Sequence, residues 1–262
     1  MAMYNRLALL SILLTLLSCG NGKDLAKKFD LSTNADKKTI VNGTDLTVTL
    51  SPKNGTTIDS VAYYLDGARL GGDTGFSPLT KKIEVQKLGK KDLVAKVYAG
   101  GETANITQEL SILNDVAPKV YSYEIVNTYP HDVASYTQGL EFHDGILYES
   151  AGQYGKSGLM KTNYETGEIT KRIDLDDKFF AEGLTLIDNK IVQLTWRENV
   201  GFTYDPETLE KTGSFTYNES KEGWGLCNDG KVIYKSDGSS RIWLLDPKTL
   251  AEKDYIEITD NK

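Results

Sequence analysis

Three landmarks recur in the same order along the second half of the chain, and their spacing limits the folds open to it. The first is a Gly-Leu pair: Gln138-Gly139-Leu140, Glu182-Gly183-Leu184 and Trp224-Gly225-Leu226, with the glycines 44 and then 42 residues apart. The second is a turn leading into an apolar run: Asp144-Gly145-Ile146-Leu147-Tyr148, Asn189-Lys190-Ile191-Val192-Gln193 and Gly230-Lys231-Val232-Ile233-Tyr234. The third is Tyr164-Glu165-Thr166-Gly167, Asp205-Pro206-Glu207-Thr208 and Asp246-Pro247-Lys248-Thr249, at intervals of 41 and 41. A period in the low forties with several short strands per unit is the signature of a β-propeller blade. In such a blade the Asp-Gly type of turn joins the two inner strands and the Asp-Pro-x-Thr turn joins the two outer ones. Composition agrees: 24 glycines, 15 tyrosines and only 6 prolines in 262 residues suit short strands and tight turns better than a helical bundle.

The repeat also indicates where a site would lie. The innermost strand of each blade faces a shared axis, and positions that serve only the fold should look alike from blade to blade. The residue before the repeated glycine does not: it is Gln138, then Glu182, then Trp224. A second such set, seven residues after each inner turn begins, is Ala151, Trp196 and Asp237. Different chemistry on a repeated backbone position points to selection by a ligand, with ordinary inner-strand variation as the competing explanation.

The first half of the chain is organised differently. Leu7 to Leu17 is an eleven-residue apolar run, too short to span a bilayer and of the length of a signal-peptide core. It ends in Leu16-Leu17-Ser18-Cys19-Gly20, which resembles a bacterial lipobox, so residues 1–19 are expected to be a lipoprotein signal peptide with Cys19 as the lipidated residue. The expected location is the bacterial cell envelope, lipid-anchored and periplasmic or outer-membrane facing. Residues 20–38 are polar and aperiodic and are expected to be a tether. From Thr39 to about Asp115 short alternating runs predict an immunoglobulin-like β-sandwich, with strands at Asp45–Leu50, Ser60–Leu65, Lys82–Val85, Leu93–Tyr98 and Ile106–Leu113, separated by turns at Pro52-Lys-Asn-Gly55, Asp66-Gly67, Gly71-Gly72-Asp73 and Gly100-Gly101. Asp115-Val-Ala-Pro118 reads as the linker to a propeller domain over 119–262. The expected fold is therefore all-β: a sandwich followed by an incomplete propeller.

Charge and rare residues exclude several functions. A net charge of −7 offers no basic footprint for nucleic acid. Two cysteines, Cys19 and Cys227, and two histidines, His131 and His143, are too few for a four-cysteine zinc site, a three-histidine metal site or a disulfide framework. Both histidines read as loop or surface residues. What remains is one carboxylate, one amide and two indoles. Glu182 lies between Phe179-Phe180 and Gly183-Leu184; a carboxylate in apolar surroundings has a raised pKa and can both take and give a proton near neutrality. Trp196 and Trp224 can wall off water, and Gln138 offers a donor and an acceptor without charge. No nucleophile is evident, which favours proton shuttling on a substrate that carries its own. A glycosidase would need a second carboxylate such as Glu149 or Asp237. A non-catalytic propeller that binds peptide or glycan is the alternative from a different class.

The motifs also resemble a known family. Tyr136-Thr-Gln-Gly-Leu140, Leu147-Tyr-Glu-Ser150, Phe179-Phe-Ala-Glu-Gly-Leu-Thr-Leu186, Gln193-Leu-Thr-Trp196, Gly201-Phe-Thr-Tyr204, Glu222-Gly-Trp-Gly-Leu226 and Ser236-Asp-Gly-Ser-Ser240 follow the order and spacing of the plant-type glutaminyl-peptide cyclotransferases, also called glutamine cyclotransferases. The resemblance covers Tyr136 to Ile258. It implies a five-bladed propeller that converts N-terminal glutamine of peptides or proteins to pyroglutamate and releases ammonia. It implies Glu182 as the proton shuttle, Gln138, Trp196 and Trp224 as holders of the substrate glutamine, and Phe180 and Tyr136 as the rest of the apolar wall. It implies a monomer that needs no cofactor for catalysis, with structural calcium between blades left open. Two mild departures are Tyr136, where the family often has Phe, and Ala181, where it commonly has Gly. Three repeats stand where the family has five, so the expectation is a C-terminally truncated propeller, weak or inactive by itself.

Overall fold

The computed structural model describes residues 22–259, so the leader and Cys19 lie outside the described residues. Among the described residues, apart from one short helix, α1 (Gly22–Ala26), every regular element is a β-strand, as the turn-rich composition predicts. Among the described residues no helix is long and apolar enough to cross a membrane. The chain divides into two compact units; within the described residues the first comprises 22–84 and 90–111, and the second 85–89 and 112–259.

The first unit is built on β1 (Phe29–Thr33), β2 (Thr39–Val41), β3 (Asp45–Pro52), β4 (Ser60–Leu65), β5 (Ala68–Asp73), β6 (Leu79–Lys82), β7 (Gly89–Ala99) and β8 (Glu102–Leu113). They form two sheets, ordered β1-β3-β6 and β2-β8-β7-β4-β5. Strand period 2 decides which side chains are inside: Leu46, Val48 and Leu50 of β3 and Leu93, Ala95 and Val97 of β7 are buried, while their neighbours are not. The hairpins sit where turn chemistry puts them, with Asp66-Gly67 and Gly100-Gly101 all at positive φ.

Three expectations for this unit need correction. Within the tether expected over 20–38, residues 22–38 are not featureless: β1 pairs with β3, from Phe29 opposite Pro52 to Thr33 opposite Val48, and Leu25 and Phe29 are buried. Leu25 and Phe29 anchor a segment that is otherwise mostly polar. The strand expected at Lys82–Val85 lies earlier, at Leu79–Lys82. Gly71-Gly72, read as a turn, lies within β5; a Cβ on Gly72 would meet the Val61 carbonyl oxygen at 2.5 Å, so glycine is there for close backbone approach.

In the second unit each repeat forms one four-stranded antiparallel sheet in chain order. The first contains β9 (Thr137–His143), β10 (Ile146–Ala151), β11 (Gly158–Thr162) and β12 (Ile169–Asp174). The second contains β13 (Ala181–Ile187), β14 (Lys190–Thr195), β15 (Val200–Tyr204) and β16 (Lys211–Thr216). The third contains β17 (Leu226–Asn228), β18 (Ile233–Ser236), β19 (Arg241–Leu245) and β20 (Glu252–Glu257). The outer turn of every sheet is made by the same device, which in the first sheet starts at Asn163, one residue before the Tyr164 that the repeat alignment set against Asp205 and Asp246. Asn163, Asp205 and Asp246 each accept, through their side-chain oxygen, the backbone N–H groups two and three residues on. These bonds, led by the one from Thr208 and from Thr249, hold the Asp205 and Asp246 carboxylates below their ordinary range.

The sheets stack through two cores. Tyr148 and Leu159 of the first sheet meet Leu184, Leu186, Ile191, Phe202 and Tyr204 of the second. Ile187 and Val192 of the second meet Ile233, Trp243 and Leu245 of the third. The middle sheet is covered on both faces, which is why all seven residues of β13 are buried.

Candidate active site

The repeated glycine has a steric cause, and that cause assembles the site. A Cβ on Gly139 would lie 2.5 Å from the backbone nitrogen of Leu184, and one on Gly183 would lie 2.5 Å from the Trp224 oxygen and 2.6 Å from the Leu226 nitrogen. Only glycine lets the first strands of successive sheets approach this closely. The β13–β14 register jumps between Ala181 and Leu184, leaving Glu182 and Gly183 in a bulge. The β9–β10 pairing jumps from Gly139 to Thr137, which places Gln138 in a bulge as well. Bulges re-aim side chains, and the Gly183 N–H, released from its own ladder, donates to Trp224 O at 2.7 Å. The residues preceding the glycines are therefore brought side by side.

Glu182 is only 9% exposed. Burial is the main force pushing its pKa up to about 7; a hydrogen bond donated by the Gln138 amide opposes this, and the Glu222 and Glu198 charges add to it. Gln138 and Phe180 flank Gly152 at its would-be Cβ, at 2.9 and 2.5 Å. Phe180 is the centre of an aromatic cluster, with edge-on contacts to Tyr136 (6.2 Å), Tyr154 (5.4 Å) and Trp196 (5.6 Å). Trp224 joins through a carboxylate rather than a ring. The Trp196 and Trp224 indole nitrogens donate to the same oxygen of Glu222 at 2.9 and 2.8 Å, and Arg197 donates to the other oxygen at 3.0 Å while stacking 3.7 Å above Trp196. The Trp224 indole, then the Trp196 indole and Arg197, hold the Glu222 carboxylate below its ordinary range against the effect of burial. Trp224 remains 45% exposed and packs over Gly238.

This arrangement offers one carboxylate that changes protonation near neutrality, an amide bonded to it, and two indoles clamped by a second carboxylate held below its ordinary range. Among the described residues no group of three or more His, Cys, Asp or Glu side chains is placed to hold a metal ion.

A profile of the family described as glutamine cyclotransferase matches residues 94–262. The chain belongs to the glutamine cyclotransferase family. A glutaminyl-peptide cyclotransferase of Arabidopsis thaliana is 39% identical over 141 residues, which are 53% of this chain and 44% of that relative. The crystal structure of Myxococcus xanthus glutaminyl cyclase shares 29% identity over 52% of this chain and 56% of that one, with a TM-score of 0.47. The WD40 propeller domain of Doa1 shares 11% identity over 88% of this chain and 66% of its own, with a TM-score of 0.37. The chain thus spans less than half the length of the Arabidopsis cyclotransferase.

Within this cyclotransferase family member, Gln138, Glu182, Phe180, Tyr136, Trp196 and Trp224 form one connected set. Glu149 and Asp237, the carboxylates a glycosidase would recruit, are committed elsewhere. Glu149 is buried and accepts from Thr137 at 2.6 Å, with His131 Nε2 at 3.0 Å. Asp237 accepts from Trp243 at 2.8 Å and from Ser239. Sequence reasoning missed Glu222, Glu198 and Tyr154. Glu222 had a visible signal, its place two residues before a tryptophan inside a quoted motif. Glu198 and Tyr154 come from separate repeats and meet only in the fold, where the Tyr154 hydroxyl donates to Glu198 at 2.8 Å.

Proposed function

We propose that this chain carries the catalytic carboxylate and part of the substrate pocket of a glutaminyl-peptide cyclotransferase, acting on peptides or proteins that begin with glutamine. The observation that carries the reading is Glu182: a buried carboxylate with a pKa of about 7, bonded to an amide and set among aromatic rings, at the position implied by the family motif. The substrate's neutral α-amine attacks its own γ-carboxamide carbon, forming the ring C–N bond. The proton released from that nitrogen passes to the Glu182 carboxylate. Glu182 then gives it to the departing amide nitrogen as the old C–N bond breaks, ammonia leaves, and the carboxylate is restored. A group with a pKa near the working pH suits both halves of this exchange. Gln138, Trp196 and Trp224 hold the glutamine side chain, and Phe180 and Tyr136 complete the wall that keeps water out.

The architecture supports the same reading. The three stacked four-stranded sheets are consecutive blades of a propeller, and the two sheets of the first unit are an immunoglobulin-like sandwich. The Leu16-Leu17-Ser18-Cys19 motif supports a lipid-anchored envelope protein. Ammonia release from a Gln-initiated peptide by this chain tests the function. The expected result is turnover that falls about 10²–10⁴-fold in Glu182→Gln, the range for a lost general acid–base group. Undiminished turnover in Glu182→Gln refutes its role, and saturable peptide binding without product makes the protein a binder instead.

A further inference from the structure

We propose that Glu198 is a substrate-binding residue that holds the α-ammonium of the incoming peptide, through an oxygen that the fold leaves buried and unpaired beside the aromatic cluster. The inference rests on the cyclotransferase reading and extends it to how the amine is recognised.

Three carboxylates act at the pocket, and two are already committed. Both oxygens of Glu222 are taken, one by two indoles and the other by Arg197. Glu182 shuttles the proton and is bonded to Gln138. Glu198 differs. Its Oε1 accepts from the Tyr154 hydroxyl, whereas its Oε2 is buried with no hydrogen-bond partner among the described residues. Tyr217, another group on which the Glu198 charge acts, has its hydroxyl committed to Thr195 and Val200. A buried unpaired carboxylate oxygen is costly, and such an atom on a side chain tied to the aromatic cluster calls for a donor.

The chemistry of the substrate supplies that donor. A peptide amine with a pKa of about 7.7–8.0 arrives mostly as ammonium at neutral pH. Glu182, with a pKa of about 7, is only partly ionised at neutral pH and is reserved for the proton, and both Glu222 oxygens are already held by the two indoles and Arg197. Glu198 lies near enough to Glu182 for its charge to be felt there, and Tyr154, which it binds, packs against Phe180. Aromatic faces around a cation add attraction. No bond is made or broken in this step: Glu198 accepts a charge-assisted hydrogen bond and orients the nitrogen before it loses its proton.

The test is binding in the Glu182→Gln background, where ligand persists unreacted. Glutaminamide, which carries the ammonium, is compared with glutaramide, its analogue lacking the α-amine, by calorimetry. Glu182→Gln is expected to prefer glutaminamide by about tenfold or more, as befits a charge-assisted bond. Adding Glu198→Gln should erase that preference while changing glutaramide affinity less than twofold, which also reports that the pocket is intact. Tyr154→Phe should retain most of the preference, because it leaves Oε2 in place. Equal preference with and without Glu198→Gln, or none at all in Glu182→Gln, overturns the proposal. The cyclotransferase reading is scored separately by ammonia release from the unsubstituted chain: binding that depends on Glu198 without turnover would remove that reading and keep this one.

Discussion

Replacing Gly183 by alanine should disturb both the stacking of the sheets and the placement of the Glu182 carboxylate. The new Cβ would stand 2.5 Å from Trp224 O and 2.6 Å from Leu226 N, both backbone atoms that cannot rotate away. β13 and β17 must separate, at an overpacking cost of about 1–3 kcal/mol. The 2.7 Å bond from Gly183 N to Trp224 O weakens with them, adding about 1 kcal/mol. Alanine restricts the unfolded chain and returns about 0.4–1 kcal/mol, leaving a net loss of about 2 kcal/mol. Gly225 is the internal control, because its Cβ would meet only the Ser236 hydroxyl, at 3.0 Å. Gly225→Ala should therefore stay within about 1 kcal/mol of the parent. All three tryptophans, Trp196, Trp224 and Trp243, lie in the second unit, so their fluorescence during urea unfolding reports on that unit. With an m-value of about 2 kcal/mol/M, Gly183→Ala should lower the midpoint by about 1 M. Equal midpoints for the two variants would refute the close-approach explanation of the repeated glycine.

Two further outcomes follow from buried charge. Lys235 is fully buried, donating to Glu222 O at 2.7 Å, to Glu252 at 3.3 Å and to Ser220. Burial lowers its proton affinity and Glu252 opposes that. Lys235→Met should cost about 3 kcal/mol by leaving a buried carboxylate without its cation, and Lys235→Met/Glu252→Gln should cost less, both read from urea unfolding. Glu182 binds a proton in the folded protein that the unfolded chain has already released between its ordinary value near 4.5 and about 7. Its contribution to stability is therefore lost as pH rises through that window, and Glu182→Gln should flatten that part of the urea midpoint against pH.

The parts legible in the sequence are those written in local chemistry. Asp205, Asp246 and Asn163 set the outer turns through their own side chains, so a three-fold recurrence reveals three sheets. Gln138, Glu182 and Trp224 stood out because they differ beside a glycine that recurs in all three repeats. The parts that escaped depend on distant partners. Glu222 gains its role only when two indoles from adjacent repeats converge on one oxygen. Glu198 matters because of an oxygen left unpaired after folding, which no spacing encodes. β1 escaped because Asp30 and Ser32 face solvent and Phe29 alone among its residues is fully buried. β5 escaped because its paired glycines, read as turn formers, serve close packing.

The most direct test of the account is the pKa of the Glu182 side chain, measured by following its carboxyl carbon resonance with pH and assigned by its loss in Glu182→Gln. The account predicts a midpoint of about 7, moving down in Glu222→Gln as a nearby negative charge is removed. A midpoint in the ordinary carboxylate range, or one indifferent to Glu222, would contradict it.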